Sequence, residues 1–329
     1  MSYDLYFYRK AGESPAKKGL FGALLGSGAR KSSMLDENGL RSFLTSYGHF
    51  SSIDKTDKGF EATYFNSDTG ASAFFSFDRG ETDQRCDYPG FTYTGLSLNI
   101  NYFRPFFYGY EAALATEAIC KKFDLYTADP QSSDEAPKMR TVDEVFTAWD
   151  ASNTKSVRGQ IERLRKEGKE NQEISPDIWA RMSRPMSEAW WSYRYHHDQI
   201  LKYVDDNNID AFVPTFIFVF KRIRDNRLVT CIPIADGVGY VLPRCDHFGM
   251  DSGDGKVIVE SEALLGEIGN VLKSLPVPGM DLIYFTHEDA KSIGSTLRGL
   301  KAEKEEENYR MVPIYQNSAF VPGPFIDID

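Results

Sequence analysis

The stretch Thr94 to Gln131, TGLSLNINYFRPFFYGYEAALATEAICKKFDLYTADPQ, constrains the fold of this chain more than any other. It opens with alternation: Leu96, Leu98 and Ile100 against Ser97, Asn99 and Asn101. That is the period of a strand with one buried face. Pro105 follows where a helix can begin, because proline tolerates the first turn and disfavours helix in the residue before it. The next residues, to Phe123, are good helix formers whose apolar members cover two sides of the wheel. A helix apolar nearly all round is buried, not laid on a surface. Asp124 to Pro130 reads as a short strand closed by a turn. The stretch therefore predicts strand, central helix (105–123) and strand, with the helix covering a sheet and itself covered.

The rest of the chain extends this pattern. Residues 2–9 alternate as a first strand, and 36–47 read as a helix. Aromatic strands at 60–65 and 71–77 flank the turn Asn66 to Gly70, a hairpin signature. A polar segment, 132–139, marks a domain boundary. Thr141 and Glu144 form a capping box that opens a helix through Trp149, and 153–172 reads as a charged, solvated helix. Residues 185–206 carry the longest apolar stripe at helical spacing, from Met186 to Val204. Apolar β-branched runs at 212–223 and 228–234 predict a hairpin across Asp225 and Asn226. Arg244 to Gly255 reads as a loop. Two β–α successions follow (256–273 and 281–303), their helices capped at Ser261 and at Thr286 with Asp289. A last strand is expected at 309–315. The expected fold class is α+β, in two domains, each a mainly antiparallel sheet covered by helices: 1–131 around the central helix, and 132–329 with helix 185–206, hairpin 212–234 and the two β–α units.

Charge and cysteine usage narrow the function classes. The net charge is −10. A nucleic-acid binder needs a positive face, so nucleic acid is not an expected partner. An acidic surface instead speeds encounter with a basic one. Cys86, Cys120, Cys231 and Cys245 form no CxxC pair, and a free buried thiol behaves as a small hydrophobe. The N-terminus lacks a signal-peptide pattern, and no apolar run approaches the ~20 residues that span a bilayer. These features predict a cytoplasmic protein with no membrane span and no cofactor. The glycine-rich basic segment 17–33 is not a phosphate loop, since it matches neither GxxxxGK[ST] nor GxGxxG. It reads as an inserted loop.

Few residues could carry chemistry. His196, His197 and Asp198 form one cluster, and Cys245, Asp246 and His247 another. Adjacent histidines on a helix diverge by ~100°, whereas helical metal pairs use spacings of three or four. Three consecutive residues cannot form a nucleophile, a base and its orienter by themselves. A metal site from His196, His197, Cys245, Asp246 and His247 would require the fold to bring the clusters together. Glu111 and Glu117 are candidate buried carboxylates in the central helix; a buried Glu117 either has a raised pKa and serves as an acid or pairs with an arginine such as Arg104 or Arg194. On a second face of helix 185–206, Trp191 and Tyr195 lie four apart, placed to bury or to anchor a partner. The acidic groups Asp205 with Asp206, Asp251 to Asp254, and Asp134 with Glu135 read as solvated loops that could together meet a basic protein.

The phrases MSYDLYFYR, NYFRPFFYGYEAALATEAICKKFDLYTADPQ and WWSYRYHHDQILKYV, with IDAFVPTF and YVLPRCD after them, resemble bacterial immunity-type proteins. Such proteins are encoded beside polymorphic or secretion-system toxins and inactivate them by tight binding. The resemblance implies an immunity protein that binds a cognate toxin, basic if acidic steering applies, and covers its active site without catalysis. Its expected contact residues here are Trp191 and Tyr195 as anchors, with Asp205, Asp206, Asp251 and Asp254 as a charged rim. The alternatives are a metal-assisted hydrolase of the His197/His247 region and a non-catalytic assembly adaptor.

Overall fold

The computed structural model describes residues 2–11, 35–80, 88–132, 136–168, 181–225, 227–251, 256–300, 302–311 and 326–327. It is an α+β protein of helices and mainly antiparallel sheets. The chain divides into two compact units. The first comprises Met1–Asn66, Ala71–Tyr102 and Tyr108–Ser156, and the second Ser67–Gly70, Phe103–Phe107 and Val157–Asp329.

The first unit is built on a six-stranded antiparallel sheet. Its strands are β1 (Ser2–Lys10), β2 (Phe50–Lys55), β3 (Gly59–Phe65), β4 (Ser72–Asp78), β5 (Phe91–Asn101) and β6 (Tyr126–Ala128), in the order β2-β3-β4-β5-β1-β6. Alternation buries one face: Tyr3, Leu5 and Phe7 of β1, Phe60, Ala62 and Tyr64 of β3, Ala73, Phe75 and Phe77 of β4, and Leu96, Leu98 and Ile100 of β5. Helices α1 (Glu37–Tyr47) and α2 (Phe106–Phe123) cover that face, with Phe43 against Phe123 at 5.6 Å between ring centres. The central helix is thus as its apolar girth predicts, with Ala112, Ala113, Ala115, Ile119 and Cys120 all buried. Helix α3 (Val142–Lys166) is one continuous helix where two were expected. Its capping box is present, with the Thr141 amide donating to Glu144 at 2.9 Å and the Glu144 amide to the Thr141 hydroxyl at 3.3 Å. Where α2 and α3 meet, Gly109 lies against the fully buried Trp149.

In the second unit, the expected helix 185–206 is two: α4 (Arg184–Tyr195) and α5 (His197–Asp206). The break is at His196, whose φ/ψ of −107°/15° leaves the helical region, and whose Nδ1 lies 2.9 Å from the Ser192 carbonyl. The His196 amide still donates to the same carbonyl at 3.1 Å, so the helix turns at this residue with that ladder bond kept. Hairpin β7 (Phe218–Arg222) and β8 (Leu228–Pro233) forms as expected but starts later, because Pro214 has no amide to donate. The expected loop 244–255 instead contains a strand, β10 (His247–Asp251), which pairs parallel to β8 and antiparallel to β11 (Lys256–Glu260). Ser261 is the first residue of α6 (Ser261–Ile268), not its cap, and its hydroxyl donates to the Cys245 carbonyl at 2.6 Å. A small sheet, β12 (Lys273–Leu275), β13 (Leu282–Phe285) and β9 (Tyr240–Leu242), precedes α7 (His287–Gly299). The α7 box is present, with the Thr286 amide and hydroxyl both donating to Asp289 at 2.9 and 2.7 Å.

The main sheet of this unit runs β14-β11-β10-β8-β7-β15, with β14 (Glu303–Lys304) and β15 (Tyr309–Met311) at opposite edges. Only the helical turn α8 (Glu305–Asn308) separates these two strands in sequence. Laid flat, six strands put the edges about 24 Å apart, at ~4.8 Å per spacing. A four-residue helical turn advances ~6 Å. The sheet is therefore curled until its edges approach, and Tyr309 of β15 donates to Glu303 of β14 at 3.0 Å. Register places Phe218 and Phe220, Val229 and Cys231, His247 and Gly249, Ile258, and Tyr309 on the inner, concave face. Phe220, Val229, Cys231, Ile258 and Tyr309 form its core.

Candidate functional site

The concave face is filled at one end and hollow at the other. Tyr309, His247 and Ile258 close the filled end. At the hollow end lies a cavity of about 310 Å³, lined by residues that include Phe212, Phe218, Phe220, Cys231, Tyr240 and Gly249. Phe220, Cys231 and Tyr240 are its buried floor and wall. Phe212, Asp251 and Lys256 are exposed at the mouth, the last two facing each other across the end of the β10–β11 ladder.

Local chemistry explains each position. Pro214 keeps Phe212 out of the hairpin. Instead its amide donates to the Gly239 carbonyl and its carbonyl accepts from the Val241 amide, both at 2.8 Å. Its ring meets Tyr240 edge-on at 5.6 Å and remains 51% exposed. The Tyr240 hydroxyl accepts from the Ala235 amide at 2.9 Å, which fixes that wall. No sequence signal announced this site, because its residues come from six separate segments whose spacing says nothing until the sheet curls.

No protein-family model, curated protein or solved structure matches this chain.

The clusters singled out in the sequence have other roles. Among the described residues no group of three or more His, Cys, Asp or Glu side chains is arranged to hold a metal ion. Asp246 accepts from both the amide and the hydroxyl of Thr230, at 2.8 and 2.9 Å. The Cys245 thiol donates to the His247 carbonyl at 3.2 Å, and burial pushes its pKa up to about 12. Cys120, buried in α2, is likewise pushed up to about 12. Neither thiol supplies a thiolate near neutral pH. His197 packs edge-on against Tyr193 at 5.7 Å, with its basicity lowered by burial and by the Arg194 charge. Glu111 is fully buried and accepts from the Tyr64 hydroxyl at 2.7 Å and the Asn66 amide at 2.9 Å. Glu117 pairs with Lys121 at 2.7 Å.

The expected contact residues separate into two sets. Trp191 and Tyr195 are half-buried with their rings tilted against each other at 5.1 Å, and Phe106 meets Trp191 edge-on at 5.5 Å. Asp205, Asp206 and Asp251 are exposed. Asp254, Asp134, Glu135, Cys86 and the segment 17–33 lie outside the described residues. No helix among the described residues is long and apolar enough to cross a membrane.

His247 gives the unit a pH dependence. It is buried on the concave face, its Nε2 lies 3.2 Å from the Tyr309 hydroxyl, and its Nδ1 has no hydrogen-bond partner among the described residues. Burial lowers its basicity from the ordinary 6.5, with the charges of Asp246, Glu260 and Glu303 opposing the shift and Arg222 reinforcing it. The unfolded chain therefore takes up a proton at a pH where the folded unit does not. Stability is complete above the unfolded value of 6.5 and falls as pH drops below it towards the folded pKa. The urea midpoint is expected to decline between about pH 7 and pH 5, and to decline less in His247→Gln. Equal slopes in the two proteins would refute this.

Proposed function

We propose that this chain is an immunity-type inhibitor: it binds a toxin encoded beside it and neutralises it by covering its active site, with no chemistry of its own. The observation that carries this reading is the exposed run from α5 to the cavity mouth. Asp198, Asp205, Asp206 and Asp210 are all exposed along it, and the segment ends in Phe212, a phenyl ring 51% exposed. Leu201, also exposed, stands among the aspartates. Apolar groups within a charged rim are the anatomy of a protein–protein interface, in which a few aromatic anchors supply most of the affinity. The charge of the run fits a basic partner, and the overall charge of −10 has the same sign.

Co-expression with the neighbouring reading frame tests this directly. The two products are expected to co-purify in fixed stoichiometry, with toxicity lost. A harmless neighbour, or one that does not bind, would overturn the proposal. Within such a complex, Asp205→Lys with Asp206→Lys is expected to slow association about tenfold at low salt and to flatten its salt dependence. Stopped-flow rates that match the parent at every salt concentration would remove these aspartates from the interface.

A further inference from the structure

We infer that the hollow end of the curled sheet is a binding site for a one- or two-ring aromatic group with a polar end at the mouth. Three independent observations support it.

The first is size. An engineered apolar cavity of ~150 Å³ binds benzene, and natural ligand pockets begin near ~300 Å³. The present cavity, about 310 Å³, belongs to the second class.

The second is chemistry. The lining includes four aromatic residues, Phe212, Phe218, Phe220 and Tyr240, together with Cys231 and Met250. Rings accept another ring edge-on or offset, and sulfur makes favourable contacts at ring edges. The charged residues of the lining, Asp251 and Lys256, are both at the mouth. A ligand with an apolar body and one polar end matches that division, because the polar end stays where it can be solvated or bonded.

The third is Gly249. It occupies the centre of strand β10, facing the hollow. It is not among the glycines with positive φ, so its backbone makes no demand for glycine. A Cβ placed there would meet the Cys231 sulfur at 3.4 Å and the Pro233 Cα at 4.0 Å, ordinary contact distances. A larger residue would fill the hollow, and glycine within a strand is less stable than alanine there. A glycine inside a strand often marks a bulge, a bend or a site where a ligand approaches the backbone closely, and here it borders the hollow. Gly249 keeps the space open.

The aromatic group has two possible sources, a free small molecule or a side chain of a bound protein, and the site exists in either case. Its test therefore does not depend on the proposed toxin. The full-length protein, isotopically labelled, is titrated with indole and separately with p-cresol, followed by amide and methyl NMR. Saturable shifts confined to residues around Gly249, Ile234 and Phe220, with a midpoint well below ~1 mM, are expected. No saturable shift with either probe overturns the proposal. Gly249→Leu is expected to keep or raise the melting temperature and to weaken indole binding at least tenfold. Undiminished binding in a folded Gly249→Leu overturns the location, and Cys231→Met, which fills the floor, is read in the same way should Gly249→Leu fail to fold. With the site established, a complex with the neighbouring product that no longer takes indole assigns the pocket to a partner side chain. A complex that still takes it assigns the pocket to a free molecule.

Discussion

Gly109→Ala is expected to lower the melting temperature of the first unit by about 5–10 °C, although the change improves helix propensity. Two effects oppose each other. In the interior of α2, alanine in place of glycine should stabilise by up to ~1 kcal/mol. The new methyl, however, would lie 2.1 Å from Cε3 and 2.4 Å from Cδ2 of Trp149, well inside van der Waals contact. The indole is fully buried and cannot swing away, so α2 and α3 must separate or the ring must leave its rotamer. Overpacking of this kind costs ~1–3 kcal/mol and sometimes more, so with contact this close the clash wins by ~2–3 kcal/mol. At ~2–4 °C per kcal/mol for a unit of this size, that gives the expected shift. Scanning calorimetry checks it. A melting temperature equal to or above the parent would mean that the two helices have slack.

Glu111→Ala should cost at least as much, by a different route. The carboxylate is completely buried and accepts from Tyr64 and Asn66, themselves buried on the sheet below. Removing it takes an acceptor from two donors shut off from water, at ~1–3 kcal/mol each, and leaves a void. A total of ~4 kcal/mol is expected from the shift in the urea midpoint. Glu111→Gln retains a carbonyl oxygen as acceptor and should cost less than half as much. Equal losses in the two variants would indicate that the charge, and not the two hydrogen bonds, holds the site together.

What was legible in the sequence was what is decided locally. Pro105 and the all-round apolar residues after it placed α2, and the hydroxyl–carboxylate spacings at Thr141/Glu144 and Thr286/Asp289 placed two helix starts. Each signal is complete within a few residues. The errors arose where a distant group decides. His247 to Asp251 reads as loop because Gly249 and Asp251 interrupt any apolar pattern, and only pairing with β8 and β11 makes it a strand. Helix 185–206 reads as unbroken because its apolar stripe continues through His196, where the backbone leaves the helical region. The metal reading joined residues by type alone, and the fold commits Asp246 to Thr230 and Cys245 to buried hydrogen bonds. The cavity depends on curvature, and curvature follows from strand order, which no window of sequence contains.

That strand order also sets a timetable. The two strands that complete the edges of the main sheet, β14 and β15, are the last of its six in the chain. During synthesis β7, β8, β10 and β11 leave the ribosome first, and β7 and β11 then present unpaired ladders at both edges. At ~5–20 residues per second, the 42 residues between β11 and β14 take several seconds to appear. Open strand edges are templates for pairing with other chains. Aggregation of the nascent protein should therefore be governed by how soon residues 303–311 arrive, so that a translational pause just before them would be more damaging than one just after.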